Sequence, residues 1–170
     1  MTESDKRAPL SDAYYMSLAI RRAKEAAVAG EVPVGAIVVI DGELYSSGGN
    51  AREERNDPTA HAEVLAIRHA AEMCESWRLE TATMYVTVEP CLLCTGAISL
   101  SRIKRVVYGC ANPKGGALRF VSKHRKILGL NHEVEIVSGV CEFECAQLLK
   151  DFFKERRAEK RRDGRVVEGA

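Results

Sequence analysis

The sequence predicts an α/β protein in which a mixed sheet is covered by helices on both faces. Two patterns predict it: segments with apolar residues every three or four positions alternate along the chain with short β-branched runs, and two of those runs flank an Asp-Gly pair. In Ser11 to Ala29, residues Tyr15, Leu18, Ala19, Ala23, Ala26 and Ala27 recur at helical spacing between Arg21, Arg22, Lys24 and Glu25, giving an amphipathic helix that Gly30 stops. Val34 to Ile40 is a continuous apolar run of strand length, Asp41-Gly42 is a tight turn, and Glu43 to Ser47 returns as the second strand of a hairpin. Gly48 to Pro58 is polar and reads as loop. Thr59 is placed to cap a second helix running through Glu75, whose part-apolar face holds Val64, Leu65, Ile67 and Ala71.

Met84 to Val88 is a short strand that Pro90 ends, and Cys91 to Ser101 is a small apolar helix. Val106 to Gly109 is the next strand, and Asn112 to Leu130 is irregular, with helix in its later part. Glu133 to Val137 alternates like a strand, and a last helix from Glu142 to Arg157 packs Phe143, Ala146, Leu149, Phe152 and Phe153.

A chain of 170 residues has room for one compact domain, here residues 11–157, with 158–170 read as a basic, disordered tail. At 46% hydrophobic and 29% charged residues, the composition excludes whole-chain disorder. No apolar run is long enough for a membrane span, and the polar start, Met1 to Pro9, carries no secretory signal. The expected compartment is the reducing cytoplasm, where six cysteines do not form a disulfide framework and need another use. The net charge of +1 hides a local +4 between Lys154 and Arg165, a candidate contact for phosphates as well as a solvated helix end.

Two segments carry chemistry: His61-Ala62-Glu63 and Pro90-Cys91-Leu92-Leu93-Cys94. Alone, each is weak, since a Cys-x-x-Cys at a helix start fits a redox pair about as well as a metal site. Together, His61, Cys91 and Cys94 supply three ligands and leave the fourth position of a zinc tetrahedron for water, which is the catalytic and not the structural arrangement. Zinc lowers the pKa of a bound water to near 7, so what remains is proton movement, and Glu63 is placed to provide it. Helix starts favour the thiolate form that such ligands need. Cys74 and Cys110 read as structural thiols; Cys141 and Cys145, four residues apart at the start of the last helix, read as buried or capping thiols ahead of a second metal or redox site, since no histidine or third cysteine is placed with them; and His132 reads as a residue that holds loop geometry.

The pairing of H-x-E with P-C-x-x-C is the signature of zinc nucleobase deaminases. Around it, Glu31 to Ala36, Asn50, Asn56 to Glu63, Thr87 to Cys91, Ser101-Arg102-Ile103, Arg105 to Gly109, Pro113 to Gly116 and Asn131-His132 together resemble the bacterial tRNA-specific adenosine deaminase family over most of residues 11–157. The resemblance implies a cytidine-deaminase-like three-layer α-β-α sandwich with a mixed five-stranded sheet, a homodimer, and one zinc ion per subunit. It implies deamination of the wobble adenosine in a tRNA anticodon stem-loop to inosine, with His61, Cys91 and Cys94 on zinc and Glu63 as the proton shuttle. Asn50 would hydrogen-bond the base, Val34 would line its pocket, and Lys114, Phe153, Arg156 and Arg157 would contact the RNA. The sequence departs from the family where Asn112 replaces a usual Asp and where Leu118-Arg119-Phe120 replace small residues. Two alternatives stay open: a deaminase of a free base such as guanine or cytosine, and a catalytically silent RNA-binding zinc subunit, which the presence of Glu63 disfavours.

Overall fold

The computed structural model describes residues 10–167, with side chains described through residue 162. Its elements are α1 (Asp12–Val28), β1 (Gly35–Ile40), β2 (Glu43–Gly49), α2 (Arg52–Arg55), α3 (Ala62–Met73), β3 (Thr83–Val88), α4 (Leu92–Leu100), β4 (Arg105–Cys110), α5 (Leu118–His124), β5 (Glu135–Ser138) and α6 (Glu142–Val167). The strands form one five-stranded sheet in the order β2-β1-β3-β4-β5. β1 runs antiparallel to both β2 and β3, and β3, β4 and β5 run parallel to one another. The sheet is therefore mixed, as the hairpin followed by strand-helix-strand units predicts.

Side-chain alternation along the strands makes two cores, one on each face of the sheet. On one face Ala36, Val38, Met84, Val86 and Val106 meet Ala62, Ala66 and Ala70 of α3, Ile98 of α4 and Leu118 of α5. On the other, Ile37, Val39, Tyr85 and Val107 meet Tyr15, Met16, Ala19 and Ile20 of α1 and Cys145 of α6. This is the three-layer sandwich. Close approach of the layers explains two glycines: a Cβ on Gly35 would overlap the Ala19 carbonyl of α1, and one on Gly48 the Ala62 carbonyl of α3.

The Asp-Gly turn forms as expected, with positive φ at both Asp41 (51°) and Gly42 (81°), the two left-handed residues of a type I′ hairpin. Four details differ from the sequence reading. Thr59 does not cap the second helix; its N–H and hydroxyl both donate to Asp57 Oδ1 at 2.7 Å, and the helix starts at Ala62 with His61 in the N-cap position. An Asx-type turn has captured the capping group. The polar stretch after β2 contains α2, a single turn without an apolar stripe. Phe143 and Phe153 are exposed on α6, at 79% and 44%, so the packing face of that helix is carried by Cys145, Ala146, Leu148 and Leu149. The last helix continues to Val167, past the end expected at Arg157, because Ala158 to Arg162 are strong helix formers. Residues 168–170 of the expected tail lie outside the described residues.

Candidate metal centre and active-site pocket

The site lies at the carboxyl end of β3, where Pro90 turns the chain into α4 and the start of α3 comes up beside it. His61 and Cys91 are the N-cap residues of α3 and α4, both with extended backbone (ψ 149° and 177°) and neither with a side-chain capping bond, so their side chains are available to something else. Cys94, one turn into α4, is fully buried. The three converge. His61 Nδ1 lies 3.5 Å from Cys91 Sγ and 3.4 Å from Cys94 Sγ, and the two sulfurs are 3.6 Å apart.

Tetrahedral zinc, with metal–sulfur distances of about 2.3 Å and a metal–nitrogen distance of about 2.05 Å, sets ligand separations of about 3.8 Å between sulfurs and about 3.6 Å between sulfur and nitrogen. The observed triangle has that size, and the donor set is one that zinc prefers. Among the described residues, His61, Cys91 and Cys94 are the one group of three His, Cys, Asp or Glu side chains drawn together in this way. The contact between the two sulfurs brings the Cys91 thiol down to about 5, with His61 beside it adding to the effect, and the same contact together with burial pushes that of Cys94 well up. A divalent cation held by these three residues would take both sulfurs as thiolates and be neutralised by them.

Glu63 stands one residue inside the start of α3, is 4% exposed, and has its carboxyl pushed up chiefly by burial. It shares an open pocket of about 210 Å³ with His61 and Cys91, and Val34, Asn50, Arg52, Glu89 and Asn112 supply other parts of its wall. Asn50 is fixed by its own N–H, which donates to Val34 O at 3.0 Å, so two of the residues expected at the base are tied together at the open end of the β1–β2 hairpin. A second groove of about 270 Å³ adjoins the first through Val32, Asn50 and Arg52 and is lined on its far side by Phe152, Phe153, Arg156, Arg157 and Lys160 of α6.

The structure thus brings His61, Glu63, Cys91, Cys94, Asn50 and Val34 together, and sets Phe153, Arg156 and Arg157 beside them. Lys114 is exposed on the loop between β4 and α5 and lines neither cavity. Sequence reasoning missed Arg52, which faces both cavities, and Glu89, whose carboxylate receives the Asn112 N–H at 3.5 Å. Arg52 sits on the unpredicted α2; Glu89 carried a signal as the neighbour of Pro90-Cys91. His132 holds loop geometry as expected, through a 2.7 Å contact of Nε2 with the Ile103 carbonyl. Cys110 and Cys145 are buried structural thiols.

A family model described as MafB19-like deaminase matches residues 10–157. The tRNA-specific adenosine deaminase of Bacillus subtilis is 46% identical over 150 residues, which cover 88% of this chain and 93% of the relative. The chain belongs to the tRNA-specific adenosine deaminase family. A structure from a study of A-to-I editing by tRNA:A34 deaminases at the wobble position of transfer RNA superposes on this deaminase with a TM-score of 0.76 at 42% identity, covering 80% of this chain and 99% of the other. The guanine deaminase of Bacillus subtilis is more distant, with a TM-score of 0.59 at 33% identity over 71% of each chain. Among the described residues no helix of this deaminase is long and apolar enough to cross a membrane.

Proposed function

We propose that this chain is a cytoplasmic, homodimeric enzyme that hydrolyses the wobble adenosine of a tRNA anticodon to inosine, with one zinc ion per subunit held by His61, Cys91 and Cys94. The observation that carries this reading is the His61-Cys91-Cys94 triangle set in one pocket with a buried carboxylate and Asn50. The family's relatives named for tRNA adenosine support the choice of substrate.

Zinc bound to these three residues lowers the pKa of a water ligand from about 15.7 to about 7, so a nucleophile is available at neutral pH. The chain's own groups handle the protons. Glu63 accepts the proton that the water gives up as its oxygen bonds to C6 of adenine, and delivers it to ring N1. A second proton passes through the same carboxylate to the amino nitrogen, the C6–N bond breaks, and ammonia leaves; adenosine and water become inosine and ammonia. Burial raises the affinity of Glu63 for a proton, which suits a group that must hold one between two transfers. Asn50 orients the base through its side-chain amide, and Val34 supplies an apolar wall. An anticodon base is already unpaired, so entering the pocket costs less than extraction from a duplex. Arg156 and Arg157 border the second groove, where flanking phosphates of the loop would run.

Homodimer formation is supported by the outer surface of α4, which leaves Leu92, Leu93 and Leu100 exposed at 67%, 44% and 68%. The deciding experiment offers the zinc-loaded protein a tRNA with adenosine at the wobble position alongside guanine, cytosine and cytidine, and measures inosine and ammonia. Inosine in the tRNA is the expected product; ammonia from a free base alone would decide for the guanine- or cytosine-type deaminase.

A further inference from the structure

From Asn112 to His132 the chain holds five Lys or Arg residues and no Asp or Glu, in a protein whose whole charge is +1. Most of this segment is α5 and the turns that follow it. Leu118 and Val121 of α5 point into the core, at 1% and 4% exposure, so the helical period turns Arg119, Phe120 and Lys123 outward, and all three are exposed. Phe120, 61% exposed, stacks on His124 with ring centroids 4.4 Å apart and planes 33° apart, and His124 Nδ1 lies 2.9 Å from the Phe120 carbonyl. The aromatic pair is therefore held in place on the surface.

The cations around it divide into two kinds. Arg125 is committed to Glu133 at 2.7 Å, and Arg119 donates to the Tyr108 hydroxyl at 2.8 Å and to Ser138 at 2.6 Å. Lys114, Lys123 and Lys126 are exposed and make no ion pair among the described residues. The face also begins at the pocket rim: Gly116 pairs with the metal-ligating Cys91, Ala117 N–H donates to the Pro90 carbonyl at 2.9 Å, and α5 starts at the next residue.

A fixed aromatic pair at the surface, Phe120 exposed and His124 half-buried, bordered by uncommitted lysines, offers what a single-stranded nucleic acid requires, with a π-face for a base and charges along its backbone. We propose that the outer face of α5 binds the RNA next to the target nucleotide, with an unpaired base on Phe120 and His124 and phosphates on Lys114, Lys123 and Lys126. The inference rests on RNA being the substrate.

The test measures binding of a fluorescent anticodon stem-loop with wobble adenosine, by anisotropy across a salt series, together with single-turnover inosine formation at saturating RNA. Phe120→Ala is expected to weaken binding about tenfold through lost stacking. Lys123→Ala with Lys126→Ala is expected to flatten the slope of log affinity against log salt by roughly 0.7 for each lysine. Both variants keep the wild-type rate once RNA is saturating, because none of the three side chains lines the catalytic pocket. Wild-type affinity and salt slope in both variants, with the wild-type protein forming inosine, would overturn the inference and leave the substrate reading standing. Weakened binding by the variants with no inosine from the wild type would overturn the substrate reading, and with it the placement of this face beside a target nucleotide, leaving only an RNA-binding surface.

Discussion

Glu31 Oε1 accepts the backbone N–H of Glu53 at 2.8 Å across a separation of 22 residues, and the same oxygen accepts the N–H of Glu54 at 2.9 Å. The carboxylate is 2% exposed, so its charge is held by the start of α2 instead of by water. α2 is a single turn, too short to persist by itself, and it carries Arg52 into the pocket one residue after Ala51 leaves Asn50. Glu31→Ala is expected to cost about 1–3 kcal/mol, the range for losing hydrogen bonds to a charged group. It should also raise KM for RNA as the Asn50–Arg52 wall loosens. Glu31→Gln keeps an acceptor and should lose less of both, as measured by urea unfolding and deamination kinetics.

Gly116 joins the loop that carries Asn112 to the turn of the candidate metal centre through its bridge with Cys91. A Cβ there would overlap the Glu89 carboxylate and meet the Asn112 carbonyl at 2.8 Å, so the loop must move. Gly116→Ala should destabilise the fold by about 1–3 kcal/mol, the usual cost of overpacking. At Gly115 the nearest atom is the flexible Asn112 amide at 3.3 Å, and Gly115→Ala should be close to neutral. Thermal melts of the two variants, with zinc content measured on the same samples, check the contrast.

Most of the sheet was legible because Val34 to Ile40, Met84 to Val88 and Val106 to Gly109 are apolar runs bounded by turn or proline signals, and periodicity reports burial directly. The convergence of His61, Cys91 and Cys94 was legible as a candidate metal site because zinc demands few residue types at short spacings within each segment. α2 was not, since its stability comes from Glu31, a contact between distant parts of the chain that no local pattern records. Thr59 misled for a related reason: a capping residue and an Asx-turn partner look alike in sequence, and the competition with Asp57 is settled only by where His61 must point. Phe143, two residues before the buried Cys145, is turned to the opposite side of α6 by the helical period, and Phe153 lines the second groove instead of the core.

Removing the proton carrier should separate chemistry from metal binding. Glu63 is not one of the three converging ligand atoms, so Glu63→Gln, close in shape, should retain one zinc per subunit. Its single-turnover rate should fall by at least the 10²–10⁴-fold (approximately) that general acid–base catalysis supplies. Cys91→Ala, by contrast, should lose both zinc and activity, and chelation of the wild type should give the same inactive state, reversed by added zinc. Elemental analysis beside the inosine assay distinguishes the two classes of variant. A Glu63→Gln protein that still deaminates would remove that residue from the mechanism.

At the opposite end of the parallel strands from the metal site, Arg105 of β4 holds Asp12 of α1 through two 2.9 Å bonds, while its Nε donates to Glu135 of β5 at 3.0 Å. The Tyr85 hydroxyl donates to Asp12 Oδ1 at 2.9 Å, the oxygen that also accepts from Arg105 Nη1, so one carboxylate ties the first helix to two strands. The Arg105 guanidinium is the main reason that the Asp12 carboxyl lies below its ordinary 3.8, against an opposing effect of burial. A carboxyl whose folded pKa is lowered stabilises the fold above its unfolded pKa, and the contribution is lost as pH falls through the folded value. Arg105→Met should therefore unfold at lower urea than the wild type at pH 7, by about 1–2 kcal/mol for a partly exposed pair lying between surface and buried cases. The difference should narrow as pH falls below about 4, where Asp12 takes up its proton in the variant first. Urea titrations of both proteins at pH 7 and near pH 3 give the comparison; a gap that stays constant with pH would show that Arg105 acts by packing alone.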